Sequence, residues 1–264
     1  SVKNAKVYIF PGISAFVGGD VVSGLYYTNF YKAANVQLLV DLGTNGEMVV
    51  GNRMRLLATS TAAGPAFEGG GLSCGCAGIK GAICGAKLLS NGTWQFDTIG
   101  DEAPIGICGS GIVEIIYELL QNGLIDETGL LAEDNQERVD LVEGQVFVTQ
   151  QDIRQFQMAK AAIRAGAETL LQVYGTDVEE ISQIYIAGGF GYYLDLAKAV
   201  AIGLFPENFL GKMLAVGNTS LGGLKAYVTN PDCGKLHNIR KYTGECQLAD
   251  NSYFQEKYIE SMYF

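Results

Sequence analysis

Residues 41–52 read DLGTNGEMVVGN, a carboxylate at the end of an apolar strand followed by a Gly-Thr-Asn-Gly turn and a second apolar strand. Such a turn can bind phosphate: its backbone N–H groups point outward, and a small residue such as Gly43 lets an anion approach closely. The strand before it, Gln37 to Val40, fixes Asp41 in space, where its carboxylate could hold a hydrated Mg²⁺ or orient a water. The same residues also make an ordinary β-hairpin, because Asn45-Gly46 is the strongest short hairpin signal in sequence. Taken alone, the stretch leaves both readings open. Far downstream, residues 184–195 read IYIAGGFGYYLD, a buried strand that breaks into Gly188-Gly189-Phe190-Gly191. Two glycine-rich strand ends in one chain suggest a nucleotide held from two sides, since ligands of open α/β sheets sit beyond the carboxyl ends of the strands.

The elements that must position these residues can be placed from periodicity and turn chemistry. Arg55 to Ser60 is a third short strand, and it runs into TAAGPAFEGGGL, residues 61–72. Lys80 to Leu89 and Thr93 to Ile99 flank Ser90-Asn91-Gly92 and form a hairpin. Ser110 caps a helix from Gly111 to Asn122, with Gly123 as its stop. Residues 126–143 form a polar, solvated excursion before a strand from Gln145 to Val148. Thr149 and Asp152 make a capping-box-like start to the longest helix, which reaches about Tyr174. A helix near Leu194 to Gly203, a strand near Met213 to Val216 and a helix from Thr219 to Val228 follow, and the tail from Glu245 gives a short strand and an aromatic-rich helix. His237, the single histidine, falls in a polar loop and receives no role.

The 264 residues suffice for one large domain or one domain plus a fragment. The formal charge of −10 disfavours nucleic acid or an anionic membrane as a partner. An acidic body that binds a nucleotide must therefore hold it through backbone N–H groups and Mg²⁺. No run of 18 apolar residues and no signal-peptide pattern is present, which gives a cytoplasmic reading with no membrane contact. The six cysteines fit neither a secreted disulfide framework nor a ferredoxin run, so reduced structural thiols are expected.

The order of these pieces resembles the second half of the actin-like ATPase superfamily, the ribonuclease H-like fold shared by actin, acetate and sugar kinases and heat-shock chaperones. More closely it resembles the C-terminal part of the reductive activators of corrinoid proteins. The stretches that carry the resemblance are GISAFVGGD (12–20), LLVDLGTNGE, STAAGPAFEGG, GICGSGIVE (106–114), TQQDIRQFQMAKAAI (149–163), YIAGGFG and GNTSL (217–221), in family order along about four-fifths of the chain. The resemblance implies an α/β fold, a mixed sheet flanked by helices. It also implies that 1–36 are a remnant of the first lobe with its connecting helix, that 37–218 are the second, nucleotide-binding lobe, and that 219–264 are a connecting helix and tail. Only one phosphate hairpin is visible, so one wall of the cleft is expected in sequence not shown here.

Residue roles follow from the same resemblance. Asp41 would contact the metal through water or hold the catalytic water, against a plain role of capping its own turn. Asp20, in the connecting helix, would face it across the cleft, against a plain helix-capping role; two carboxylates at one phosphate need Mg²⁺ between them. Gly43, Thr44 and Asn45 would contact phosphate, Gly69 and Gly70 the ribose or a phosphate, and Gly188, Gly189 and Phe190 the adenosine. The competing reading of Gly188 and Gly189 is tight packing between strand and helix. Gln157 and Lys160, on the polar side of the long helix, would contact the nucleoside, although an exposed lysine is ordinarily just solvated.

As a whole, the resemblance implies the ATP-binding part of an activator that returns Co(II) corrinoid proteins of methyltransferase systems to Co(I). The parent would be a homodimer whose 2Fe–2S domain lies outside this chain. A related activator family, of acyl-CoA dehydratases, bridges two subunits with a 4Fe–4S cluster, and Cys74-Gly75-Cys76 is the one close pair that could serve such a role. A small-molecule kinase of the same superfamily, to be recognised by a phosphorylated acceptor, and a non-catalytic nucleotide-sensing module, to be recognised by absent turnover, remain as alternatives.

Overall fold

Strand β1, Gln37–Leu42, alternates its side chains between two apolar layers, and that alternation organises the molecule. Leu38, Val40 and Leu42 enter one core, whereas Leu39 enters the other. The computed structural model describes residues 7–132, 137–189 and 194–264. β2 (Gly46–Asn52) and β3 (Arg55–Thr61) continue antiparallel from β1. The chain then leaves the main sheet for a second unit made of β4 (Ala82–Leu88), β5 (Trp94–Thr98), β6 (Gly106–Ile107) and helix α2 (Gly109–Gln121). The hairpin of β7 (Arg138–Val142) and β8 (Val146–Thr149) leads into the long helix α3 (Gln150–Tyr174). β9 (Gln183–Ala187), α4 (Leu196–Ala201), β10 (Met213–Gly217), α5 (Thr219–Thr229), α6 (Cys233–Tyr242), β11 (Thr243–Glu245) and α7 (Ser252–Glu260) complete the chain after α1 (Gly19–Tyr27) has opened it.

The main sheet has the order β10-β9-β1-β2-β3-β11. β1, β9 and β10 run parallel, and β11 joins β3 in parallel at the far edge. α3 packs on one face of β2 and β3, and α1, α5 and α6 cover the opposite face. This is the expected mixed sheet flanked by helices.

Several local expectations change. α2 begins at Gly109 rather than Gly111, with Cys108 at its N-cap and no side-chain capping bond, and Ser110 lies buried in its first turn. Part of the stretch expected as a solvated excursion forms β7, whose Val139 and Leu141 are buried beneath an exposed charged edge. His237 sits on α6, a helix that the polar composition had hidden; its Leu236 and Ile239 anchor it to the α1 side. The Thr149–Asp152 capping box forms in full, Thr149 accepting from the Asp152 N–H and Asp152 from the Thr149 N–H.

Candidate functional site

The alternation along β1 delivers Asp41 to the α1 side of the sheet, the face of Leu39, just where that strand ends. The three-residue turn Gly43–Asn45 sets a register in which Asp41 stands directly opposite Glu47 on β2. Two like charges in directly opposed positions destabilise a hairpin. Asp20, in the first turn of α1, completes the group, and all three line one cavity of about 330 Å³ with Gly43, Thr44, Asn45, Gly188, Asn218 and Ser220. Burial pushes the Asp41 carboxyl up to about 6, with a further rise from Asp20. Glu47 is pushed up to about 7 by burial first, then by Asp20 and Asp41. Among the described residues no lysine, arginine or histidine is ion-paired with any of the three.

The turn itself is arranged for an anion at two of its N–H groups. Gly43 donates to the Asn45 carbonyl at 3.1 Å, so its own N–H is spent within the turn. The N–H groups of Thr44 and Asn45 find no acceptor among the described residues. Thr44 is held from behind: its carbonyl accepts from Gly64 at 2.9 Å, and its hydroxyl donates to Glu68 at 2.5 Å. Asp20 accepts from the Val21 N–H at 2.9 Å, a local bond that leaves the residue on the cavity wall. Asn218 caps α5 by accepting from Leu221 at 2.8 Å, which fixes the far rim.

Gly188 and Gly189 prove to be glycines for different reasons. A Cβ on Gly188, which adopts φ +110°, would lie 2.3 Å from the Leu42 carbonyl oxygen, so this residue is where the end of β9 packs against the end of β1. Among the described residues, a Cβ on Gly189 would meet nothing within 4 Å, and the residue lines the cavity. Phe190 lies outside the described residues. Gly189 also borders a second cavity of about 370 Å³, bounded by Phe67, Ile99, Cys108 and the start of α2 at Gly109 and Ser110. The two cavities share Leu42, Glu68 and Gly189.

Gly69 and Gly70 line neither cavity. Gly69, at φ +74°, backs onto the Cys76 carbonyl so closely that a Cβ would overlap it at 2.0 Å, and Gly70 packs on Pro65. Gln157 and Lys160 also depart from expectation, for both are buried rather than on a polar face. Gln157 donates to the carbonyls of Thr128 and Met262, and Lys160 donates to that of Tyr263 at 2.5 Å beneath the Phe264 ring. Burial, aided by Arg164, brings Lys160 down to about 7. These two residues clasp the C-terminal tail onto α3, and Gln157 lines a cavity apart from the carboxylate one.

Sequence reasoning missed Glu47, Glu68, Asn218 and Ser220. Glu47 was recoverable from the hairpin register, which pairs it with Asp41. The other three lay inside quoted stretches, but only the fold brings them to the turn. Among the described residues no cluster of three His, Cys, Asp or Glu is arranged to hold a metal directly. A hydrated Mg²⁺, which keeps its waters and takes one or two carboxylates together with phosphate oxygens, fits this donor set. All six cysteines are free thiols.

Comparison with known proteins identifies the family of the chain. The family described as the C-terminal domain of RACo, the ASKHA domain, matches residues 35–264. Across 98% of its length the chain is 35% identical to the corrinoid activation enzyme RamQ of Eubacterium limosum, covering 47% of that protein. It is 30% identical over 83% of its length to a Co(II) methylated amine-specific corrinoid protein reductase of Methanosarcina barkeri, covering 44% of it. The solved structure of a reductive activator for corrinoid, iron–sulfur protein superposes with a TM-score of 0.90 and 33% identity, over 98% of this chain and 44% of that one. The chain thus spans about half the length of the relatives it matches. Among the described residues no helix is long and apolar enough to cross a membrane.

Proposed function

Because the chain belongs to the family of the RACo C-terminal ASKHA domain, we propose that it is the nucleotide-binding part of an ATP-dependent activator that returns Co(II) corrinoid proteins of methyltransferase systems to Co(I). The reading rests on one observation above all: Asp41, the open N–H groups of Thr44 and Asn45, Gly189 and Asp20 converge on a single cavity at the carboxyl ends of β1 and β9. Residues 37–218 form the nucleotide-binding lobe. Residues 1–36 belong to the first lobe and its connecting helix, and 219–264 to a connecting helix and the tail. The 2Fe–2S centre lies outside this chain, the protein is a cytoplasmic homodimer, and the free thiols are in keeping with a reducing compartment.

The turn N–H groups bind phosphate oxygens, and Gly189 gives the nucleoside room beside the backbone. Asp41 orients the attacking water from the β1 side, and Asp20 does so from α1. Asp41 and Asp20 would hold a hydrated Mg²⁺, which would supply charge neutralisation for the phosphates. Burial raises the proton affinity of Asp41 and Glu47 in the nucleotide-free protein, so their hold on a cation would strengthen as pH rises through about 6 to 7. Asp41→Asn tests the assignment: Mg-ATP turnover should fall at least about a hundredfold while nucleotide affinity changes only a few-fold, because the lost contact belongs to the transition state and the backbone cradle stays. Unchanged turnover would remove Asp41 from the site.

A further inference from the structure

The phosphate cavity and the second cavity meet at Leu42, Glu68 and Gly189, and of these three residues only Glu68 has a polar side chain. Glu68 is set firmly. It ends a 3₁₀ turn, Pro65–Glu68, whose next residue Gly69 is wedged in a left-handed conformation against the Cys76 carbonyl. The neighbouring Phe67 is buried edge-on against Phe156 of α3 at 5.8 Å. One carboxylate oxygen, Oε2, accepts the Thr44 hydroxyl, and among the described residues Oε1 accepts no hydrogen bond. Oε1 lies 3.5 Å from where a Cβ on Gly43 would stand, which places it over the foot of the phosphate turn.

A nucleotide with its phosphates on the turn and its base in the second cavity must lay its sugar across this junction. Sugar hydroxyls are donors, and an ionised carboxylate is a pure acceptor with capacity to spare. We infer that Glu68 reads the sugar, accepting hydrogen bonds from the ribose hydroxyls and so making the site selective for ribonucleotides over deoxynucleotides. The inference rests on the nucleotide-binding reading above. It also accounts for an acidic side chain on the path of a polyanion: the carboxylate faces the uncharged sugar, with one oxygen kept back by Thr44.

Binding of ATP, 2′-deoxy-ATP and 3′-deoxy-ATP to the protein with Mg²⁺, measured by calorimetry for the parent sequence, Glu68→Gln and Glu68→Ala, tests this directly. The parent should bind ATP about tenfold or more tightly than at least one deoxynucleotide, the loss expected when a hydrogen bond to a charged acceptor is forfeited. Glu68→Ala should bring ATP down to the level of that deoxynucleotide, and Glu68→Gln, which keeps the side-chain shape, should reduce the ratio several-fold. A merely structural role through Thr44 would weaken all three ligands in proportion and leave the ratio intact, which would overturn the inference. Equal binding of ATP and both deoxynucleotides by the parent would also overturn it while leaving the nucleotide site standing. No binding of any of the three would overturn both.

Discussion

Asp41 and Glu47 face each other across a hairpin at mutual cost, and the cost sets a pH dependence. Both carboxyls hold their protons more tightly in the fold than in the unfolded chain, at about 6 and about 7. Between their ordinary values and these, the native state binds more protons than the unfolded one, so these groups lower stability as pH rises from about 4 to 7. The penalty is absent below that window and complete above it. Asp41→Asn should therefore stabilise the nucleotide-free protein by roughly 1–3 kcal/mol at pH 7.5, with the gain vanishing near pH 4. Urea denaturation at both values checks the sign, and a loss of stability at pH 7.5 would contradict it. Mg-nucleotide affinity should run the opposite way, weakening as pH falls from about 7.5 to 5.5 because protonated carboxyls make poor cation partners. Titration calorimetry at those two values reads it out.

At the scale of elements, β9 ends in two glycines that separate packing from binding. Gly189→Val should abolish or strongly weaken nucleotide binding while the thermal midpoint shifts by no more than about 2 °C, since among the described residues nothing stands within 4 Å of the new Cβ. Gly188→Val should instead unfold or strongly destabilise the protein, because its Cβ would overlap the Leu42 carbonyl at a backbone angle suited to glycine. A large midpoint drop in Gly189→Val with undiminished affinity in the folded fraction would reverse this division. The strands and α3 were legible in sequence because their signals are local: alternation in β1 and β2, and a capping box at Thr149. α6 was not, since only Leu236 and Ile239 mark its buried side among charged neighbours. The burial of Gln157 and Lys160 was hidden for a different reason. What covers them is the tail some hundred residues on, at Met262, Tyr263 and Phe264.

Across the whole molecule, the β1–β2 turn, the second unit and the tail are joined through α3. Phe264 stacks on Phe156 at 6.3 Å, Phe156 meets Phe67, and the next residue, Glu68, holds Thr44. On the proposed reading, the two halves of a nucleotide would sit in different structural units, the phosphates in the cavity at the β1–β2 turn and the base in the cavity beside α2. The candidate site was only half legible in sequence for that reason. Asp41, Thr44, Asn45 and Gly189 stand in motifs at strand ends, whereas Glu68 and Ser110 gain their places only when the second unit folds back on the main sheet. Closing and opening such units about a nucleotide is a common means of coupling hydrolysis to a partner's grip.

The most direct measurement follows the cobalt itself. A Co(II) corrinoid protein of a methyltransferase system, supplied with reductant and the full-length protein, should accumulate the Co(I) form, read by absorbance, only when Mg-ATP is present. With Asp41→Asn in the same mixture, Co(I) formation should fall to the level seen without ATP. Equal Co(I) formation with and without ATP, or an undiminished yield with Asp41→Asn, would contradict the account.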